Sequence, residues 1–438
     1  MSYTRPVRLL NRDFLLLWQG QFVSMLGSQA FSVAMIFWIK RQTDSASLLG
    51  LGMMSQWVPA ILLGPFGGTL ADRMSRRQIL ILADVVRGVA AIALAALVLM
   101  VPGRSGTILV GLLVLSAVMG VCDAFFRPAI SASIPDLVPE EEVIRANSAN
   151  RLALDVSTFL GQGTGGVLFR LIGPGILFLV DGVTYLFSAL SAAFVRMPPP
   201  APVSKTASWR EAGADFWREL KLGLGYVASR KGLRYLLLLA PLDSFFMITI
   251  VVLLPFYVED FLHVTPDWYG FLVAAFGGGS FLGSITAGAT NITGRKRTWA
   301  YLACAAGFGA AAFALGFARS PWLAMGCIFA AGVMSGFNTI HALSLAQLTT
   351  PSELRGRVLG LLETLGLSTM PLAAGTAGVV ADLLHRDIPL VYFGCGGALI
   401  ALALVQAGTR EVRQFLAHQP SPEAAAAKTN SETPARQV

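Results

Sequence analysis

Long apolar stretches separated by short polar segments dominate the pattern along the chain. A helix needs about 20 mostly apolar residues to cross the ~30 Å core of a bilayer, and we count twelve stretches of about this length. The pattern therefore predicts an all-α polytopic membrane protein with twelve transmembrane helices. The predicted spans are about 14–39, 48–71, 78–101, 106–130, 148–171, 175–195, 235–258, 267–290, 298–318, 321–345, 357–381 and 388–408.

The longest polar interruption divides the spans six and six. It begins with a proline-rich piece and continues with apolar residues at helical spacing among charges, which predicts an amphipathic helix on the cytoplasmic face. Its apolar positions are Trp209, Phe216, Leu220, Leu224 and Val227. The predicted organisation is a cytoplasmic N-terminus 1–13, an N-terminal half 14–197, a linker 198–234, a C-terminal half 235–410 and a disordered cytoplasmic tail 411–438.

Composition supports the membrane prediction. Apolar residues make up 55% of the chain and charged residues only 13%, against about 25% charged in soluble domains. Most of the 33 Lys and Arg fall on one side of the predicted spans, which places both termini in the cytoplasm. This asymmetry explains the net charge of +8 without nucleic-acid binding. The four cysteines and four histidines have no metal-site spacing, so neither a metal nor a cofactor is predicted.

The segment between spans 2 and 3 carries the strongest motif. Gly68 is expected to permit close helix packing, Asp72 to accept hydrogen bonds from a helix N-terminus, and the arginines to pair with acids on span 4. The motif residues are Gly68, Asp72, Arg73, Arg76 and Arg77. A similar segment follows span 8, which suggests two parallel six-helix repeats. The motif resembles the loop 2–3 signature of the major facilitator superfamily, with Ser75 where the family has glycine. The resemblance implies two pseudo-symmetric halves around a transport path.

A glycine-rich motif lies on span 5. It contains Gly161, Gly163, Gly165 and Gly166, and resembles the signature of drug/proton antiporters, in which Gln162 would be proline. The resemblance implies antiport. The alternative is that these glycines serve only helix packing.

Four further stretches resemble the macrolide-efflux type of exporters, a group that includes siderophore exporters. They are 17–31, 126–139, 181–186 and 351–361. The resemblance implies a monomeric exporter of small, largely apolar compounds in the bilayer, working by proton antiport and alternating access. Siderophore or lysolipid export is the alternative within transport. A polytopic enzyme or a sensor would need a catalytic constellation or a soluble domain, which we do not find in the sequence.

Charged residues within spans are functional candidates because they are expensive in lipid. Several acids have a base three or four residues away, a spacing that allows ion pairs on one helix face. We expect the pairs Asp84–Arg87, Asp123–Arg127 and Arg151–Asp155. The first two pairs are predicted to join the loop arginines in a network that closes the cytoplasmic side.

Three acids lack such a neighbour: Asp181, Asp243 and Glu363. A lone carboxylate in a low-dielectric site tends to hold its proton and release it when water arrives. These acids are the predicted proton carriers, with Asp243 favoured. A hydrogen bond to Tyr185 is the alternative role for Asp181, and pairing with a distant arginine is the alternative for the other two.

Polar and aromatic residues inside the spans are candidates for the substrate pocket, since Met and aromatic side chains suit an adaptable apolar cavity. The alternative is that they only link helices. The candidates are Gln21, Met25, Gln29, Phe245, Asn338 and His341.

Overall fold

The computed structural model describes residues 11–101, 103–197, 218, 221–222, 224–290 and 292–417. Within these ranges the chain is helical and contains no strand. The helices are α1 Arg12–Thr43, α2 Ala46–Arg73, α3 Arg76–Met100, α4 Ser105–Leu137, α5 Val143–Ala193, α6 Lys231–Phe256, α7 Asp267–Ala289, α8 Gly294–Leu315, α9 Pro321–Thr349, α10 Ser352–Leu383, α11 Ile388–Gly408 and α12 Arg410–Leu416.

Eleven of the described helices are long and apolar enough to cross a membrane. The longest, α5, is interrupted at Gly173, whose φ of 76° and ψ of 168° are not helical. We call 143–172 the first arm of α5 and 174–193 its second arm. Each arm has the ~20 residues that one crossing requires, so α5 accounts for predicted spans 5 and 6. The predicted all-α membrane fold is confirmed.

Two predicted boundaries need correction, and a third region, the linker, is described only in part. The segment between spans 2 and 3 is mostly helical, because α2 continues to Arg73 and only Met74 and Ser75 connect it to α3. Of the predicted linker helix, residues 224–229 are helical and Val227 is buried, while most of the remainder lies outside the described residues. Ordered structure also extends into the predicted tail, to the end of α12.

The docking of α12 explains this last difference. Its Val412 and Leu416 are buried with Leu233 of α6 in one apolar cluster. Arg297 at the start of α8 donates from Nε to the Leu416 carbonyl at 2.9 Å. Burial and this hydrogen bond together stabilise a helix that is too short to form alone in water.

The two halves use the same helix pairs. In the N-terminal half α2 packs on α4 and α3 on the second arm of α5; in the C-terminal half α7 packs on α9 and α8 on α11. Glycines let the backbones touch at each of these contacts. Representative positions are Gly120, Gly182, Gly283 and Gly396, where an added Cβ would lie within 3.0 Å of backbone atoms of the neighbouring helix. The predicted pseudo-symmetry is thus visible in the packing.

The halves share one apolar core at one end of the molecule and have separate cores at the other. The shared core joins the ends of α1, α3 and α6 to the starts of α4 and α11. We call this end, which contains the α1–α2 turn at Asp44 and Ser45, the joined end. At the opposite end, which contains Met74 and Ser75, one cluster belongs to the N-terminal half and another to the C-terminal half. We call this the split end.

Two glycine seams connect the halves near the joined end, one between α2 and α10 and one between α5 and α7. A Cβ on Gly50 or Gly378 would lie 2.3 Å from the carbonyl oxygen of Ala374 or Ala46, respectively. On the second seam, a Cβ on Gly166 would lie 2.2 Å from the Pro266 carbonyl oxygen. The halves therefore meet backbone against backbone.

Gly173→Ala is expected to destabilise the protein. Nothing lies within 4 Å of a Cβ built on Gly173, so the cost arises from its backbone conformation, which is essentially confined to glycine. We expect a loss of about 1–3 kcal/mol in the free energy of unfolding, measured as a lower thermal midpoint in detergent. Gly106→Ala is the control, because Gly106 also has open space but is helical; an equal loss there would contradict the argument.

Candidate functional site

A cluster of buried charges lies inside the N-terminal half, where α3, α4 and the second arm of α5 meet. Arg87 is at its centre, with Nη2 3.3 Å from Asp123 Oδ1 and Nη1 3.7 Å from Asp84 Oδ1. The Arg87 guanidinium also lies over the rings of Phe126, at 4.3 Å, and Tyr185, at 5.4 Å. We call Asp84, Arg87, Asp123 and Asp181 the acid cluster.

Asp181 is fully buried and is held by α1. Ser28 is 3.2 Å from Asp181 Oδ1 and 2.8 Å from the Tyr185 hydroxyl, so it bridges the two side chains. The direct Asp181–Tyr185 hydrogen bond considered from the sequence is therefore replaced by a bridge through Ser28. The second carboxylate oxygen of Asp181 has no hydrogen-bond partner in the described part of the chain.

The acid cluster contains three carboxylic acids and one permanent cation. Uncompensated charge inside a membrane protein is strongly unfavourable. Arg87 can balance only one ionised carboxylate, so the cluster contains more acids than its one buried base can neutralise.

One predicted ion pair is wrong. Asp123 pairs with Arg87 on α3 and not with Arg127, which is exposed and makes no ion pair among the described residues. Arg127 can reach water, whereas Arg87 is buried and needs the carboxylate. The other two predicted pairs are confirmed, Asp84–Arg87 at 3.7 Å and Arg151–Asp155 at 3.2 Å.

Two arginines of the loop 2–3 motif, at the start of α3, connect it to α4 and α5 at the split end of the N-terminal half. Arg76 pairs with Asp136 near the end of α4, beyond the predicted end of span 4 at residue 130, and donates to the Ala132 carbonyl at 2.8 Å. Arg77 donates to the Ala193 carbonyl at the end of α5. The surroundings of Gly68 and the side chains of Asp72 and Arg73 lie outside the described residues.

The glycine-rich motif packs against two helices. A Cβ on Gly161 or Gly165 would meet Gln29 or Val33 of α1 at 2.5 or 2.8 Å, whereas Gly166 faces α7 across the seam described above. Gly163 also faces α7, because its carbonyl oxygen lies 2.2 Å from a Cβ built on Gly270. The motif thus places the first arm of α5 between its own half and the other one.

Gln162 makes a polar link at the same level. Its Nε2 donates to Gln29 Oε1 at 2.6 Å, and Gln29 Nε2 donates to the Thr158 hydroxyl at 3.2 Å. The residue that replaces the signature proline therefore ties α5 to α1.

The face of the first arm that meets α7 continues toward the split end without a partner. Residues three or four apart share one face of a helix, and the face that contains Gly163, Gly166 and Arg170 also contains Phe159, Asp155 and Arg151. Arg170 pairs with Asp267 of α7 at 3.1 Å. In contrast, the side chains of Arg151 and Asp155 are 73% and 57% exposed, and Phe159 is also exposed.

The face of α7 that meets α5 is likewise in contact near the joined end and exposed nearer the split end. It contacts α5 at Gly270, but Phe281 and Ile285 nearer the split end are exposed. The two helices therefore diverge from the joined end to the split end. From these exposures we infer a cleft between the halves that opens at the split end, with apolar side chains and one ion pair on its walls.

Two of the predicted pocket residues, Gln21 and Asn338, link helices, and a third, His341, is buried against a residue of its own helix. Gln21 donates to Ser188 at 3.1 Å and is buried. The Asn338 amide, oriented by its neighbours, donates to the Tyr301 carbonyl and accepts from the Ala305 amide, both at 3.2 Å. His341 is buried with its ring centroid 4.4 Å from that of Phe337.

The other three predicted pocket residues, Met25, Gln29 and Phe245, are partly exposed. Of these, Gln29 is engaged by Gln162 and Thr158, and Phe245 makes an edge-to-face contact with Phe246 at 5.5 Å. Met25, Gln29 and Phe245 therefore remain the better candidates for contact with a substrate.

Asp243 lies on α6, away from the acid cluster. It is partly buried, within electrostatic range of Tyr235 and Tyr301, and makes no ion pair or hydrogen bond with the residues described. The side chain of Glu363 lies outside the described residues. Within the described ranges, no group of His, Cys, Asp and Glu side chains is arranged to hold a metal ion.

Sequence reasoning missed a polar contact between the halves at the joined end. Lys40, near the end of α1, lies between Glu259 and Asp260, which follow α6. The signal that could have found it is the repeat itself: the end of span 1 carries adjacent bases and the equivalent end of span 7 carries adjacent acids.

Comparisons with known proteins agree with this architecture. A family model described as "Major Facilitator Superfamily" matches residues 17–374, and a further match covers residues 236–433. The chain is similar in fold to a D-xylose–proton symporter, with a TM-score of 0.66 and 16% identity over 90% of this chain and 96% of that one.

Two curated relatives are exporters by name. The macrolide efflux protein A of Streptococcus pyogenes is 26% identical over 275 residues, which are 63% of this chain and 66% of that protein. The enterobactin exporter of Shigella boydii is 25% identical over 418 residues, covering 90% of this chain and 91% of the relative.

Proposed function

Because the chain belongs to the Major Facilitator Superfamily, we propose that this transporter is a secondary active exporter of small, largely apolar compounds. It exchanges substrate for protons by alternating access, with the two halves rocking about a site between them. The proposed partners are the substrate, protons and the lipid bilayer, and the working unit is a monomer.

The acid cluster is the observation that carries the proposal. Asp181 is buried, held by one hydroxyl and left with an unpaired oxygen, while the only buried cation of the cluster is taken by Asp84 and Asp123. A carboxyl group in this setting is suited to carry a proton, and its neutralisation changes the charge balance between α3, α4 and α5. We therefore place proton coupling at Asp181, in the N-terminal half, with Asp84 and Asp123 as its partners.

The cleft supports an apolar substrate. Phe159, Phe281 and Ile285 are exposed along it, and aromatic or aliphatic walls with few polar groups are typical of sites for apolar ligands. The names of the two curated relatives support export as the direction of transport.

Siderophore export is the second candidate. The match to the enterobactin exporter extends over 90% of this chain, whereas the match to the macrolide efflux protein covers 63%. The coverage therefore favours testing enterobactin beside a macrolide. Lysolipid export is a third outcome that the same assay separates.

The proposed location is a bacterial inner membrane with both termini in the cytoplasm. The distribution of Lys and Arg supports this orientation. It would place the split end, with Arg76 and Arg77, on the cytoplasmic side, so that the cleft receives substrate from the cytoplasm or the inner leaflet.

The test is transport by the purified protein in liposomes. Radiolabelled erythromycin, enterobactin or lysophosphatidylethanolamine is supplied, and an enclosed pH-sensitive dye reports proton movement. We expect one compound to drive proton movement and to be accumulated by an imposed pH gradient. Asp181→Asn should lower proton movement by roughly tenfold or more, since a buried ionisable group in a membrane is functional by default.

Glu142→Gln is the matched control, because Glu142 is an acid immediately before the same helix, is paired with the exposed Arg145 and is not one of the cleft residues. It should transport nearly as the wild type does. Proton movement that Asp181→Asn preserves and Asp243→Asn abolishes would move the coupling site to the C-terminal half. If none of the three compounds moves protons, the proposed substrate classes are wrong.

A further inference from the structure

Among the ionic contacts that join the two halves in the described residues, Lys40 is the least exposed base. Its Nζ is 2.6 Å from Asp260 Oδ1 and 3.1 Å from Glu259 Oε2, and its side chain is 6% exposed. The ammonium also lies over the Phe256 ring, 5.1 Å from the centroid. Arg41 adds a second contact, from Nη2 to Glu259 Oε1 at 3.0 Å. Two bases of one half thus meet two acids of the other.

Glu259 and Asp260 lie in a turn of unusual geometry. Residues Tyr257–Phe261 form a π-helical turn, in which the Leu262 amide donates to the Tyr257 carbonyl at 2.9 Å. A π turn is wider than an α turn, so consecutive side chains point in more similar directions, and such turns are frequent at functional sites. The turn therefore lets Glu259 and Asp260 contact the same ammonium.

In the other ionic contacts between the halves in the described ranges, the base is more exposed than Lys40, although Asp260 is itself 38% exposed. Arg170, which pairs with Asp267, is 51% exposed, and Arg386, which pairs with Asp44, is 36% exposed. Ion pairs open to solvent contribute little because water and salt screen them. Lys40 differs, because separating the halves would leave its charge and those of the acids without partners until water enters.

We propose that Lys40, Glu259 and Asp260 form the lock that keeps the joined end closed. When the lock is intact, the halves stay together at this end and the cleft stays open at the split end. Opening the joined end requires Lys40 to leave both acids, so this triad sets the balance between the two conformations. The inference rests on the proposed alternating cycle, but not on the substrate or on proton coupling.

The test measures the separation of the halves directly. Arg104 and Arg319 are exposed residues in turns at the joined end, one in each half. Both are replaced by cysteine, and Cys122, Cys304, Cys327 and Cys395 by alanine, so that a pair of spin labels reports the distance by pulsed EPR. Measurements are made in nanodiscs without substrate or a pH gradient, so a failure of export does not affect them.

Lys40→Met is expected to increase the long-distance population, relative to the short-distance one, by roughly tenfold or more, because it leaves Asp260 without its cation and Glu259 with only the exposed Arg41. Arg170→Met is the matched control, since it removes an exposed pair at the same end; it should change the ratio by less than about threefold. Asp260→Asn keeps Glu259 as a partner and should give an intermediate ratio.

Two results would overturn the lock. One is an unchanged distance distribution in both Lys40→Met and Asp260→Asn. The other is a shift in Arg170→Met as large as that in Lys40→Met, which would assign closure to general contact between the halves. If Lys40→Met does not fold, the comparison of Asp260→Asn with Arg170→Met decides the question.

Discussion

Arg87→Met is expected to lower the free energy of unfolding by about 3–5 kcal/mol, the cost of removing one partner from a buried ionic network. Arg87 is 4% exposed and contacts both Asp84 and Asp123. Methionine fills much of the same space between Phe126 and Tyr185 but leaves the acids without a cation. Thermal unfolding of the purified protein in detergent measures the loss.

The control removes an arginine from an exposed pair. Arg151→Met breaks the contact with Asp155, which solvent already screens, and should cost less than about 1 kcal/mol. Adding Asp123→Asn to Arg87→Met should recover part of the lost stability, because it removes one of the unbalanced charges. Equal losses in Arg87→Met and Arg151→Met would show that the buried network is not held by charge.

Gly166→Ala is expected to have the second large effect. The added Cβ would lie 2.2 Å from the Pro266 carbonyl oxygen and 2.7 Å from its carbon. These are backbone atoms of the other half, so no side chain can rotate away and the helices must separate. Overpacking of this kind costs about 1–3 kcal/mol, and we expect a lower thermal midpoint together with impaired transport.

Gly163→Ala provides the comparison within the same motif. Three residues earlier, a Cβ would meet only the Ala274 Cβ at 3.9 Å, which is ordinary contact. We therefore expect near-normal stability and transport in this variant. If the two substitutions have equal effects, the seam between α5 and α7 does not depend on close backbone approach.

The sequence predicted the membrane fold well because lipid imposes a simple rule: each crossing needs about 20 apolar residues. It also singled out all four members of the acid cluster, since a charged residue within an apolar span is conspicuous. It did not group Asp181 with Asp84 and Arg87, because these residues are distant in the chain and meet only when the second arm of α5 packs on α3.

Pairing rules based on spacing worked only where no competing partner was available. They identified Arg151 with Asp155, which share an exposed helix face. They failed for Asp123, because Arg87 on a neighbouring helix is nearer and is itself buried. Spacing likewise could not distinguish Gly163 from Gly166, since the difference depends on the position of α7.

The break at Gly173 makes α5 two helical arms that meet at an angle. Its first arm carries Gly166 on the seam between the halves, and its second arm carries Asp181. At a rise of 1.5 Å per residue, Gly166 and Asp181 each lie about 10–12 Å along the helix axis from the break at Gly173. No loop separates the arms, so there is little slack to absorb movement at the corner. A tilt of the first arm against α7 is therefore transmitted to the helix that positions Asp181.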